Sequence, residues 1–192
     1  ALAANTTGTT NTAVGTNALD ANTTASYNTA VGYAALGANT TGSGNTAVGK
    51  DAMKAVTTAT DGVAVGWAAL DACTTGVSNS AVGYNALGAV TTGGSNTAMG
   101  FVALQLATGT GNVAIGANSS DALTTGATNT SVGTGSLGAC TTGGNNTAIG
   151  SSALAANTTA SGNVAVGWDS LLANTTGTGH TAVGYQALAT VT

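Results

Sequence analysis

The sequence predicts an all-β chain, a parallel β-solenoid (β-roll) of about eleven seventeen-residue coils that make one repeat domain over residues 1–192. Three observations predict it. First, a unit that reads NTAVGYAALGANTTGSG from Asn28 recurs almost end to end. It opens at Asn11, Asn28, Asn45, Gly62, Asn79, Asn96, Asn112, Asn129, Asn146, Asn163 and His180, in steps of seventeen except for the sixteen between Asn96 and Asn112. Second, each place in the unit keeps its side-chain type, with short Val- and Thr-bearing runs set between Gly and Asn-Thr-Thr corners. Third, the Gly, Thr, Asn and β-branched content opposes a helix, and no 3.6-residue amphipathic pattern survives the glycine in every unit.

Numbering columns from the opening residue, the second to fourth places read as the strand. The fourth column (Val14, Val31, Val48, Val65, Val82, Met99, Ile115, Val132, Ile149, Val166, Val183) is always branched or Met. The second is Thr or Val with one Ser, Ser80, and strand alternation puts it on the same face as the fourth. Both are therefore expected in the core. The third column, Ala throughout except Ser131, is then expected to face outward. A stripe of small side chains lets another flat surface approach closely, so it is the expected chain–chain contact. The fifth column is Gly in every unit from Gly15 to Gly184, which marks a backbone corner. The ninth, with Leu19, Leu36, Met53, Leu70 and Leu87 and the exception Ser120, is a second core column.

The thirteenth and fourteenth places carry the Thr-Thr pair. With the missing residue placed before Thr108, the fourteenth becomes an unbroken ladder: Thr7, Thr24, Thr41, Thr58, Thr75, Thr92, Thr108, Thr125, Thr142, Thr159 and Thr176. Coils stacked about 4.8 Å apart make a rod of roughly 50 Å, with like-on-like Asn and Thr ladders. The short step near Ala107 is expected in a corner, because a slip within a strand would turn its core face outward.

Composition limits the function. Charged residues are 4% of the chain, with two lysines, no arginine, six aspartates and no glutamate; hydrophobic residues are 43% and the formal charge is −4. That balance is opposite to the composition of a disordered chain. Lys50 and Lys54 are the only cations besides His180, too few to neutralise phosphates, so no nucleic-acid partner is expected. No apolar run approaches the roughly 18 residues of a membrane span, so no membrane insertion is expected. The chain opens mid-unit at Ala1 without a Met and carries no recognisable cap, which reads as a processed or excised segment with both ends uncovered.

Candidate chemistry is thin, and no enzyme activity or cofactor is expected. His180 stands alone in the Asn column, and its nearest acid in sequence is Asp169. Asp20, Asp71 and Asp121 share the tenth column three coils apart, too far for paired acid–base work. The NTT triplets at Asn5, Asn22, Asn39, Asn157 and Asn174 match the glycosylation acceptor pattern because the repeat generates them. Cys73 and Cys140 both fall in the twelfth column, four coils and roughly 19 Å apart, beyond disulfide reach. The sixth column carries Tyr33, Trp67, Tyr84, Phe101, Trp168 and Tyr185. Such rungs pack over the neighbouring glycine backbone, stack on sugars or form a contact between chains.

NVAIG at 112–116, NVAVG at 163–167 and GVAVG at 62–66, each with a following ATG or TTG corner, resemble the YadA-like head repeat of trimeric autotransporter adhesins. They also resemble the related NTAVGYNAL arrays of phage and bacterial tail-fibre proteins. The resemblance implies a left-handed parallel β-roll, often trimeric, displayed outside the cell or on a virion, with no catalytic residues to carry over. The leading expectation is thus a structural and adhesive fibre segment that joins identical chains, as a trimer or end to end, and meets a host-surface glycan or protein. The alternative is an ice-binding solenoid, which needs a flat, uncharged face with ranks of Thr. Adjacent threonines in an extended strand face opposite ways, so only one of the two Thr ranks would meet ice.

Overall fold

The structure is a computed structural model and describes residues 1–191. Eleven three-residue strands, from β1 (Thr12–Val14) to β11 (Thr181–Val183), form one parallel sheet in chain order, with no helix among the described residues. Pairing is column on column: Thr12 with Thr29, Ala13 with Ala30, Val14 with Val31. The short step leaves this register intact, since Thr97 pairs with Val113 and Met99 with Ile115. Each unit is therefore one coil of a β-solenoid.

The missing residue is absorbed in the corner at 107–109, one place later than the sequence reading puts it. Thr108 donates its N–H (2.7 Å) and its hydroxyl (3.1 Å) to the Thr124 carbonyl. Those are the bonds of a thirteenth-column residue, as Thr74 makes them to Thr91. The Gly109 carbonyl then accepts from Asn96 Nδ2 at 3.0 Å, as the fifteenth-column Gly93 does from Asn79. Thr108 therefore does not belong to the fourteenth-column ladder, which has ten rungs and a gap in coil 6.

The strand's two faces are the reverse of the expectation. The third-column alanines (Ala30, Ala47, Ala64, Ala81, Ala114, Ala148, Ala165) are completely buried, and the fourth column looks out, with Val14 57% and Met99 48% exposed. The Ala stripe is thus core, not an outer contact surface. Strand alternation fixes that neighbours face opposite ways but not which set faces inward. Size decides here. The ninth-column leucines, Leu19 to Leu171, enter the same thin interior from the other side of the coil and are fully buried in one cluster with these alanines. Little more than a methyl is left opposite them. The β-branched fourth column stacks in register on the outer sheet surface, which suits its restricted χ1.

Buried polar side chains tie coil to coil. Each first-column Asn accepts the main-chain N–H of its counterpart in the next coil and donates Nδ2 to a fifteenth-column carbonyl: Asn28 Oδ1 accepts from Asn45 N–H (2.9 Å), while Asn45 Nδ2 reaches Ala59 O (2.8 Å). In the twelfth column, Asn22 Nδ2 donates to Asn5 Oδ1 (2.8 Å) and Ala25 O (3.1 Å). The thirteenth-column hydroxyls donate to the next coil's carbonyl, as from Thr6 to Thr23 O at 2.9 Å. Such ladders satisfy most of the groups that a thin interior would otherwise strand; where the twelfth-column ladder is interrupted, Asn39 Oδ1 and Asn157 Oδ1 have no partner among the described residues.

The fifth-column glycine is required twice over. Its φ lies near +130°, as at Gly15 (127°) and Gly116 (131°), and a Cβ there would run into the carbonyl of the next coil's glycine. The chain makes one turn between this corner and the leucine, Ala18 N–H to Gly15 O (3.4 Å), and a second just after the leucine, Asn22 N–H to Leu19 O (3.3 Å). The seventh and ninth places, such as Ala34 (φ 54°) and Leu36 (φ 50°), are held left-handed. Inter-coil bonds hold them there: Ala34 N–H reaches back to Thr16 O (2.9 Å), and Leu36 N–H forward to Ala52 O (3.1 Å).

Candidate functional site

The corner turns the chain so that the fourth and sixth columns flank the same glycine rank, and both face solvent. Trp67 is 53% and Phe101 56% exposed; Tyr33, Tyr84, Trp168 and Tyr185 are exposed as well. Beside them run Val14, Val48, Val65, Met99, Ile115, Ile149 and Val183, each more than a third exposed. Together they form an apolar stripe along the rod. The sequence reading identified its aromatic half and assigned its aliphatic half to the core. The uniform smallness of the third column fits the tighter face once the width of the coil is known.

The aromatic rungs pack on one another. Trp67 meets Tyr84 edge-on, with centroids 5.3 Å apart, and Tyr84 stacks on Phe101 at 5.3 Å and 14°. Trp168 and Tyr185 are 4.9 Å apart. Tyr84 and Phe101 thus each spend a ring face on the other, which closes that face to a stacking sugar. At one end Lys50 Nζ lies 5.0 Å over the Trp67 ring. Lys50 and Lys54 both pair with Asp51, at 3.6 and 3.4 Å, which leaves a small mixed-charge cluster in coil 3. Nearby, partial burial pushes the Asp71 carboxyl above its ordinary range, opposed by main-chain hydrogen bonds.

A second face carries the fourteenth-column threonines, Thr7 to Thr176, all exposed. Their thirteenth-column neighbours bond into the corner. One Thr rank faces water and the other closes the coil, but the pair sits in a bend, with both N–H groups on one carbonyl, rather than in the extended strand that the adjacency argument assumes.

The remaining candidates are structural. His180 donates its main-chain N–H to Asn163 Oδ1 (2.9 Å), ending the Asn ladder. Among the described residues no three His, Cys, Asp or Glu side chains converge. Asn22, Asn39, Asn157 and Asn174 are buried, out of reach of a glycosylating enzyme, whereas Asn5 is exposed and donates Nδ2 to Gly8 O at 3.0 Å. Cys73 and Cys140 are free and buried, and desolvation raises both thiols above their usual range. Ser120, the exception in the leucine column, joins Ser119, Ser131 and Ser136 in a buried cluster with Oγ–Oγ distances of 2.7 to 3.0 Å. Leu123, also buried, supplies bulk in the twelfth column of the same coil. No protein-family model matches the chain, and neither a curated protein nor a solved structure matches it.

Proposed function

We propose that the chain is a non-enzymatic structural and adhesive segment of an extracellular or virion fibre, built by association with identical chains. The observation that carries this reading is the exposed apolar stripe. Six half-exposed aromatics contribute on the order of 100 Å² each, and the aliphatic rungs roughly 40 Å² each. The stripe is then on the order of 1,000 Å², above the ~300–600 Å² of a typical monomer's largest patch. It matches the ~800 Å² that each partner gives to a standard interface. With 4% charged residues the rest of the surface does little to hold copies apart. The resemblance to adhesin heads and tail-fibre arrays supports the same reading and its placement outside the cell. Analytical ultracentrifugation of the wild type and of Tyr84→Asp/Phe101→Asp tests it. The wild type should associate, and the variant should sediment as a monomer with an unchanged circular dichroism spectrum. A wild-type monomer over a wide concentration range would overturn the reading.

The exposed Thr rank favours a second reading, ice binding, because ten hydroxyls lie in single file at the coil spacing, interrupted only in coil 6, on an uncharged column. Replacing Thr75, Thr92 and Thr125 with lysine leaves the fold intact in either case, since all three are exposed. Thermal hysteresis from a soluble monomer, lost in that variant, would displace the assembly reading.

A further inference from the structure

The order of side chains along the sixth column points to how two copies meet: through the apolar stripe, antiparallel, with coil 6 of one chain opposite coil 7 of the other. This rests on the self-association proposed above and adds its geometry. From coil 1 to coil 11 the column reads Thr16, Tyr33, Lys50, Trp67, Tyr84, Phe101, Ala117, Thr134, Ser151, Trp168, Tyr185. It holds a ridge of three consecutive exposed rings (Trp67, Tyr84, Phe101) followed by a recess of three small residues (Ala117, Thr134, Ser151).

The repeat makes ridge and recess equal in length, at three coils each. A two-fold axis lying in the contact plane across the rods lays each column on the same column with the coil order reversed. Centred between coils 6 and 7, it sets Phe101 against the partner's Ala117, Tyr84 against the partner's Thr134, and Trp67 against the partner's Ser151. Each ridge fills the other chain's recess. The same operation brings Lys50 opposite the partner's Trp168 and Asp169, a ring face and a carboxylate for an exposed ammonium. Ring meets ring only at the outermost coils, where Tyr33 faces the partner's Tyr185 and the contact ends. The aliphatic fourth column, Val, Ile and Met throughout, keeps its contact flat in any register. A two-fold axis along the rods instead exchanges the fourth and sixth columns that flank the glycine rank, so the rings of coils 4 to 6 stand on the partner's aliphatic column and the recess of coils 7 to 9 stays unfilled, which forfeits contact there.

Two measurements test this on the whole chain. A spin label at Thr16→Cys, in a background where Cys73 and Cys140 become Val (the residue at Val56 and Val90 of the same column), reads chain order. In the reversed dimer the labels lie eleven coil steps apart, roughly 53 Å along the axis, whereas parallel in-register copies bring them within about 20 Å. Thr134→Tyr fills the recess at a column place that other coils give to aromatics, so the coil itself is unaffected. It should weaken the dimer about thirtyfold or more. Adding Tyr84→Thr to the same chain restores a ring opposite a small residue and should recover association. The long distance together with this loss and recovery supports the antiparallel dimer. Short distances, or a Thr134→Tyr variant that dimerises as well as wild type, overturn it while leaving self-association standing. A wild-type monomer overturns both.

Discussion

Removing one amide from the first-column ladder is the most direct test of what holds this thin rod together. In coil 8, Asn129 Nδ2 donates to Gly143 O at 2.9 Å and to Asn112 Oδ1 at 3.2 Å. Its Oδ1 accepts from the Asn146 main-chain N–H at 3.0 Å and from Asn146 Nδ2 at 3.2 Å. Asn129→Ala leaves the buried Asn146 N–H without a partner and the Gly143 carbonyl with only the weak Cys140 Sγ donor at 3.6 Å. A stranded group costs about 1–3 kcal/mol and a lost hydrogen bond about 1 kcal/mol, so the variant should lose roughly 3 kcal/mol. The loss is large for a stack in which each coil touches only its neighbours, and it should divide unfolding into steps on either side of coil 8. Urea denaturation followed by circular dichroism measures the loss, and hydrogen exchange at the Asn146 amide reports whether it is local. Thr125→Ala, on the exposed rank, is the control and should stay within about 0.5 kcal/mol of wild type. If Asn129→Ala costs less than about 1 kcal/mol with Asn146 still protected, the ladders are not what holds the coils together.

Gly83→Ala should prevent folding or cost more than about 3 kcal/mol, because its φ of 136° and the Gly100 carbonyl both exclude a Cβ; thermal melting checks it. Gly62 breaks the Asn ladder, and the Met53 methyl occupies the space its Cβ would take. Met53→Leu with Gly62→Asn should therefore restore the rung and stabilise by about 1 kcal/mol in urea titration, whereas Gly62→Asn alone should give less. Cys73 and Cys140 should resist thiol reagents until the chain unfolds, which mass analysis after timed labelling will show. Because burial raises both thiols, the unfolded chain releases these protons first as pH rises. Their contribution to stability is complete below the ordinary thiol range and declines as pH climbs through and above it. A melting temperature that rose over that range would contradict the sign.

The period, the glycine corner, the leucine column and the parallel stacking were all legible in the sequence, because each is a constraint repeated at every coil. A glycine conserved through eleven units, Gly15 to Gly184, admits few explanations, and a backbone corner is the simplest. The distance between Cys73 and Cys140 follows from the register alone, and the two thiols are free. Tertiary structure alone decided which face of the three-residue strand is inside. Alternation is symmetric under that exchange, and hydrophobicity favours Val over Ala for the core, so Val14 reads as buried when it is exposed. The deciding quantity is the width of the coil, set by Leu19 and its counterparts crossing from the far wall, and no local pattern encodes it. The gap in the Thr rank has the same cause. The sequence shows that one residue is missing between Asn96 and Asn112, but only the bonds of Thr108 to Thr124 and of Asn96 to Gly109 show which place it vacates.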